Sequence, residues 1–227
     1  MASPVIAAAD TVAFDMDGTL VDSTEVAVQG ARVGLERFFR DRGIEPLIPE
    51  AAEIRRRIGM PSLEYFAALV PPSYREEAQT IRNYVSAAEE RLLAGGLVRV
   101  FPGALGVLGE LRRRGYRLVL VSNCGPKYFR AVRSAAGLED AFERAYCVED
   151  APRGDKASAL ERALGELGSR AGVMVGDKKY DLDAARANGL RFVGCRYGFA
   201  CDGELDGADA FVDDLRELPG LLPERAG

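Results

Sequence analysis

The stretch that most restricts the fold is Thr11-Val12-Ala13-Phe14, followed at once by Asp15-Met16-Asp17-Gly18-Thr19. A short apolar, β-branched run that ends in two carboxylates one residue apart reads as a buried strand carrying acids to its C-terminal edge. That edge is where open α/β sheets bind ligands. Acids at alternate positions of a regular strand point to opposite faces. For both to serve one small site, the backbone has to leave strand geometry between them, and Gly18 permits that turn. A calcium-binding loop fits poorly, because it wants acids at positions 1, 3 and 5 with Gly at 6, and here Gly stands fourth.

After this edge the pattern changes to helix. Ser23 or Thr24 can start a helix through Val26, Val28, Val33, Leu35 and Phe38-Phe39 that ends near Gly43. Pro49 opens a second, with Ile54 and Ile58 one turn apart; Pro61-Ser62 opens a third; Ser73 opens a long fourth through Ile81, Tyr84, Val85 and Leu92 to Gly95-Gly96. Four helices without a strand do not continue an α/β alternation. They read as a helical insertion.

From Val100 onward strands and helices alternate. Strands are expected at 116–121, 146–148, 172–175, 192–194 and 210–212. The helices between them start at Pro102, Pro126, Asp155 and Tyr180. This rhythm implies a parallel sheet with crossover helices on both faces, a Rossmann-like core. The expected division is a discontinuous core of residues 1–20 and 97–227 with a helical cap domain of residues 21–96. The tail from Pro223 to Gly227 is expected to fray.

The chain contains no histidine. That removes every Ser-His or Cys-His nucleophile and every His-ligated zinc site, so acid/base work falls to carboxylates, Lys, Tyr or Cys. Four scattered cysteines without a C-x-x-C pair suggest neither a zinc site nor a disulfide framework. A net charge of −5 gives no nucleic-acid footprint despite the runs Arg55-Arg56-Arg57 and Arg112-Arg113-Arg114. No apolar run reaches membrane-span length, and Met1-Ala2-Ser3-Pro4 lacks the basic start of a secretory signal. A cytoplasmic protein is expected, with no membrane partner.

Three later stretches carry chemistry. Val121-Ser122-Asn123 ends a strand in a hydroxyl. Lys156 opens a helix and is one of four lysines, Lys127 being its competitor. Val175-Gly176-Asp177-Lys178-Lys179-Tyr180-Asp181 ends a strand in Gly and Asp, with a second Asp one helical turn on. In order with D-x-D-G-T, these resemble the four motifs of the haloacid dehalogenase-like (HAD) superfamily of aspartate-nucleophile phosphatases. The resemblance covers nearly the whole chain, with a C1-type helical cap of the kind found in phosphoglycolate phosphatases.

The resemblance implies a magnesium-dependent hydrolase of phosphoric monoesters that forms an aspartyl-phosphate intermediate on a small phosphorylated metabolite. Asp15 is then the nucleophile and a magnesium ligand. Asp17 is the general acid/base and reaches the metal through its backbone carbonyl. Lys156 neutralises charge, Asp177 is the second metal carboxylate, and Asp181 is a ligand or supports one. Gly18, Thr19, Ser122 and Asn123 fall to substrate binding. Asp17 argues against a dehalogenase, which lacks this second acid. A sugar phosphomutase similar to β-phosphoglucomutase is the alternative, and a catalytically silent binding protein the remote one. Two smaller expectations concern side chains outside the motifs. Arg55-Arg56-Arg57 reads first as a solvated basic helix face, the sharper alternative being that one of them reaches the site to pair with an anionic leaving group. Cys124 reads first as an inert small residue in a tight loop, the alternative being a thiol pKa lowered by cationic neighbours.

Overall fold

The structure, a computed structural model, describes Ile6, residues 9–169 and residues 171–224. The N-terminal residues 1–4 and the last three residues of the expected frayed tail lie outside the described residues. Six strands form one sheet: β1 (Thr11–Phe14), β2 (Arg117–Ser122), β3 (Arg144–Cys147), β4 (Gly172–Gly176), β5 (Arg191–Cys195) and β6 (Ala210–Val212), in the order β3-β2-β1-β4-β5-β6. Every neighbouring pair is parallel. β1 lies between β2 and β4, with Phe14 level with Leu120 and Val175. The chain builds outward from β1 to β3 on one side and from β4 to β6 on the other. The order therefore reverses between β1 and β4, where a crevice opens beyond the C-terminal strand ends.

Between β1 and β2 the chain forms α1 (Thr24–Arg40), α2 (Ala51–Arg57), α3 (Ser62–Ala68) and α4 (Ala78–Ala94). They enclose a core of their own, which includes Leu35, Phe38, Phe39, Ile54, Phe66, Ile81 and Val85. At roughly 1.5–3 kcal/mol for each large side chain fully buried, that core packs the four helices against one another. Phe199, from the loop after β5, also packs into it. The segment leaves and rejoins the sheet through one neck. Val21 pairs antiparallel with Val100, the Asp22 N–H donates to Arg99 O (2.8 Å), and the Phe101 N–H donates to Leu20 O (2.9 Å).

The remaining helices are α5 (Ala104–Arg113), α6 (Pro126–Ala135), α7 (Lys156–Leu167), α8 (Lys179–Ala187) and the short α9 (Leu218–Leu221). Strand alternation divides them between two faces. Val12, Phe14, Leu118, Leu120, Val173 and Val175 point to the face covered by α5 and α6, whereas Ala13, Val119, Val121 and Met174 face α7 and α8.

Local departures from the sequence reading have physical causes. β3 lies earlier than expected, and Val148 falls in a 3-10 turn, Val148–Asp150. This is an edge strand whose Arg144 and Tyr146 bond Glu166, so its polar residues obscure the apolar pattern. The fourth helix opens as a 3-10 turn, Pro72–Glu77, before α4 proper. Val33 is exposed, the buried stripe of α1 running instead through Ala31, Gly34, Leu35 and Phe38. Among the described residues, no helix is long and apolar enough to cross a membrane.

Candidate active site

The acids of β1 are delivered by a turn. The Asp15 N–H still bonds to Val175 O of β4 (2.9 Å), after which the Leu20 and Val21 N–H groups both return to Met16 O (3.0 Å each). Gly18 closes this turn at φ +91°, and a Cβ there would fall 2.2 Å from an Asp177 carboxylate oxygen. Only glycine lets the turn approach that acid while adopting a left-handed backbone. Asp15 and Asp17 consequently line one cleft.

Two further strand ends meet them. Asp177 follows β4 and is wholly buried; its Oδ2 accepts from the Phe199 N–H (2.6 Å), and Thr19 Oγ1 donates to its Oδ1 (3.4 Å). Asp181 stands in the first turn of α8, where its Oδ2 accepts from the Asp177 and Lys178 N–H groups (3.0 and 2.9 Å). Lys156 opens α7, whose entrance is set by Asp155 accepting from the Ser158 N–H (2.6 Å). Its buried ammonium bridges Asp15 Oδ1 (2.5 Å) and Asp181 Oδ1 (2.6 Å). Lys127, the competing cation, is exposed.

One ammonium against three carboxylates leaves buried negative charge. Burial is the main force raising the Asp15 carboxyl to about 7; Lys156 opposes it and Asp181 adds to it. Burial, Asp15 and Asp181 push Asp177 well above the ordinary range. Burial works against the Lys156 charge, but Asp15 and Asp181 outweigh it and raise its pKa. Carboxylate oxygens of Asp15, Asp177 and Asp181 lie within 4.8 Å of one another. An all-oxygen set carrying excess negative charge suits a hard divalent cation. The Asp17 carboxyl stands apart from this cluster. Tyr128 donates to its Oδ1 (3.0 Å), and burial raises it to about 6 against the pull of Ser23, Tyr128 and Lys156.

The expected phosphate-side residues take distinct positions. Ser122 and Asn123 line the cleft. The Ser122 hydroxyl accepts from the Cys124 N–H (3.3 Å) and donates to its Sγ (3.1 Å). The Asn123 side chain donates to Gly59 O (2.8 Å) and the Asn123 backbone carbonyl accepts from the Ser62 N–H (3.1 Å), tying the sheet edge to the helical segment. Gly18 spends its N–H on Val21 O (2.8 Å), and Thr19 O accepts from the Tyr197 hydroxyl (2.8 Å).

The opposite wall comes from the helices: Ala27 of α1, Ile58 to Met60, Ser62, Tyr65 and Phe66 of α3, and Ser86 and Glu89 of α4. The cleft between the walls holds a cavity of about 60 Å³, room for a few water-sized groups. Arg55, Arg56 and Arg57 do not line it. Arg55 donates to Gly198 O (3.1 Å) and lies over the Phe199 ring, Arg57 donates to Glu53 O (2.6 Å), and Arg56 is exposed beside Glu53. Cys124 keeps to the inert reading, without cationic neighbours that lower its pKa. Burial and then Asp17 raise its thiol well above the usual value, because the nearest charges are acids.

Tyr128, Tyr65 and Glu89 escaped the sequence reading. Tyr128 follows Pro126 by two residues, with no motif to single it out. Glu89 left a trace: it stands four residues after Val85 and eight after Ile81, on the stripe α4 buries, where a carboxylate is out of place.

Residues 9–189 match the family of haloacid dehalogenase-like hydrolases. The chain is 34% identical over 225 residues to a plasmid-borne phosphoglycolate phosphatase of Cupriavidus necator, covering 93% of this chain and 92% of that one. It is 31% identical over 221 residues to a phosphoglycolate phosphatase of Chromobacterium violaceum, covering 93% and 95%. Among solved structures, a predicted phosphoglycolate phosphatase from Haemophilus somnus 129pt superposes with a TM-score of 0.80 at 20% identity, over 94% of this chain and 97% of that one.

Proposed function

The chain belongs to the haloacid dehalogenase-like hydrolases, as an enzyme acting on phosphoric monoesters, and we propose that it is a magnesium-dependent phosphatase that cleaves a small phosphorylated metabolite through an aspartyl-phosphate on Asp15. The observation that carries this reading is the meeting of Asp15, Asp17, Lys156 and Asp177 at one buried edge, from stretches far apart in the chain.

In this reading Asp15 Oδ attacks phosphorus while the P–O bond to the leaving group breaks, and Asp17 gives its proton to the departing oxygen. Asp17 then takes a proton from water as that water attacks the aspartyl-phosphate, releasing phosphate and freeing Asp15. Tyr128 holds the Asp17 carboxyl toward the cleft, and burial keeps its proton available near neutral pH. Lys156 offsets repulsion between Asp15 and an anionic substrate, with Asp181 fixing where the ammonium points. Asp15, Asp177 and the Asp17 carbonyl would hold magnesium, with Asp181 behind them. When bound, the ion supplies positive charge for the phosphoryl oxygens. The Ser122 hydroxyl and the N–H groups after it are donors for those oxygens, whereas Gly18 and Thr19 act through the turn and through Asp177. Residues 21–96 serve as a cap over the core of residues 1–20 and 97–227. Four free thiols support a place in the cytoplasm.

Para-nitrophenyl phosphate tests the chemistry. Asp15→Asn is expected to lose turnover by about 10³-fold or more while melting at or above the parent temperature. Magnesium is expected to raise the melting temperature of the parent and not of Asp177→Asn. Normal turnover in Asp15→Asn removes the mechanism, and equal magnesium shifts in both proteins remove the metal assignment.

A further inference from the structure

The phosphatase reading leaves the leaving group unnamed, and the helical wall carries chemistry that can choose it. Glu89 is 4% exposed and lines the cleft from α4. α1 makes room for it, since a Cβ at Gly30 would lie 2.4 Å from Glu89 Cγ. No described residue hydrogen-bonds to its carboxyl or forms an ion pair with it. Beside it, Tyr65 and Ser62 are 8% and 7% exposed, and neither hydroxyl has a hydrogen-bond partner among the described residues. Buried polar atoms normally find partners, so two buried hydroxyls without one, beside a carboxyl that no described residue bonds, mark a surface that completes itself on a ligand.

The sign of the charge narrows that ligand. The cleft lining contains no arginine or lysine, while Asp15, Asp17 and Glu89 are all in it. Arg82, beside Gly125 of the cleft, is paired to Glu149 at 2.7 Å, and Arg57, whose charge reaches Tyr65, donates to Glu53 O. A carboxylate on the leaving group would be desolvated among acids with no counter-charge. An O–H or N–H donor would instead meet the Glu89 carboxyl and two hydroxyls that accept as readily as they donate. Tyr65, Phe66 and Tyr128 add aromatic surface on which a carbon skeleton or a cation can rest. We infer that Glu89 determines specificity in this cleft, accepting a hydrogen bond from a leaving group that bears a hydroxyl or a protonated amine and rejecting one that bears a carboxylate. Burial first, then Asp17 and Glu90, raise the Glu89 carboxyl to about 8, so a donor on the leaving group, an ammonium above all, also favours the ionised form that accepts its hydrogen bond.

This inference rests on the phosphatase reading, and one panel separates the two. Kinetics of the parent and Glu89→Gln are measured with magnesium on para-nitrophenyl phosphate, phosphoglycolate, glycerol 1-phosphate and 2-aminoethyl phosphate. In the parent, the better of the last two is expected to exceed phosphoglycolate in kcat/KM by about tenfold or more. Which of them leads identifies the donor as hydroxyl or amine. Glu89→Gln is expected to shift the ratio toward phosphoglycolate by about fivefold or more, chiefly through KM, a directional change that loosened packing would not produce. If phosphoglycolate equals or surpasses both donor-bearing esters in the parent, or if the ratio is the same in Glu89→Gln, the inference falls while para-nitrophenyl phosphate turnover keeps the phosphatase reading standing. Failure of the parent on every ester removes both.

Discussion

The two walls of the cleft are built on opposite terms. On the sheet side, Asp181 uses both oxygens and Asp177, Lys156 and Asp15 are bonded within a buried network. On the helical side, Glu89, Tyr65 and Ser62 are also buried, yet no described residue hydrogen-bonds to their side chains. A network closed on itself holds reacting groups in place without reorganisation at the moment of reaction. A wall with open hydrogen-bonding capacity does the opposite job, since its energy is realised only when a ligand arrives. Position is settled on one side and selection left to the other.

The strongest way to break that contrast is Lys156→Ala. The substitution strips the shared cation from two buried carboxylates, so a loss of roughly 3–5 kcal/mol in stability is expected. A fall in para-nitrophenyl phosphate turnover of about 10²-fold or more should accompany it. Denaturant unfolding and single-substrate kinetics check both, and a variant as stable and active as the parent means the network is not held by its ammonium. A smaller effect is expected from Tyr128→Phe, which removes the donor to Asp17 but leaves the ring. One neutral-to-carboxyl hydrogen bond is worth about 1–2 kcal/mol, so kcat should fall by about tenfold and the melting temperature by a few degrees at most. An unaltered kcat would reduce Tyr128 to part of the cleft's shape. Smallest of all, Arg55→Ala removes a bond to Gly198 O and a cation–π contact on a partly exposed surface. It should cost no more than about 1 kcal/mol in thermal stability and leave the ratio of kcat/KM between substrates untouched. A change in that ratio would place selectivity outside the helical wall's open hydroxyls and acid.

These side chains also divide by how plainly the sequence announces them. Asp15, Asp17, Gly18, Asp177 and Asp181 are legible because local geometry dictates them: an apolar strand has to stop before its acids, and the turn needs a residue tolerant of positive φ. The parallel sheet follows from the same alternation, and the four helices from their buried stripes. Lys156 is legible only by its place among the other motifs, since nothing local separates it from Lys127. Tyr128 and Tyr65 are illegible for a simple reason. Their function comes from packing helices α6 and α3 against an edge distant in the chain, and neither helix needs a tyrosine at that position to fold. Glu89 lies between these cases, visible as a misplaced charge on an apolar stripe but without a purpose until the cleft is seen. The three arginines are the reverse case: a conspicuous basic run offers an anion partner, but the plainer reading of a basic helix surface holds, with Arg55 and Arg57 donating to backbone carbonyls and Arg56 beside Glu53.

The neck where Val21 pairs with Val100 has a consequence for inheritance. Because the chain departs and returns side by side, everything between residues 22 and 99 can be lengthened, shortened or exchanged while the sheet's ends stay joined at an unchanged distance. Such an exchange keeps the sheet intact, but the contacts that Asn123, Phe199 and Arg55 make between the two parts have to be kept or remade. Grafting the corresponding insert of a relative across Asp22 and Arg99 would therefore be a natural experiment in how one reaction comes to be offered to many substrates.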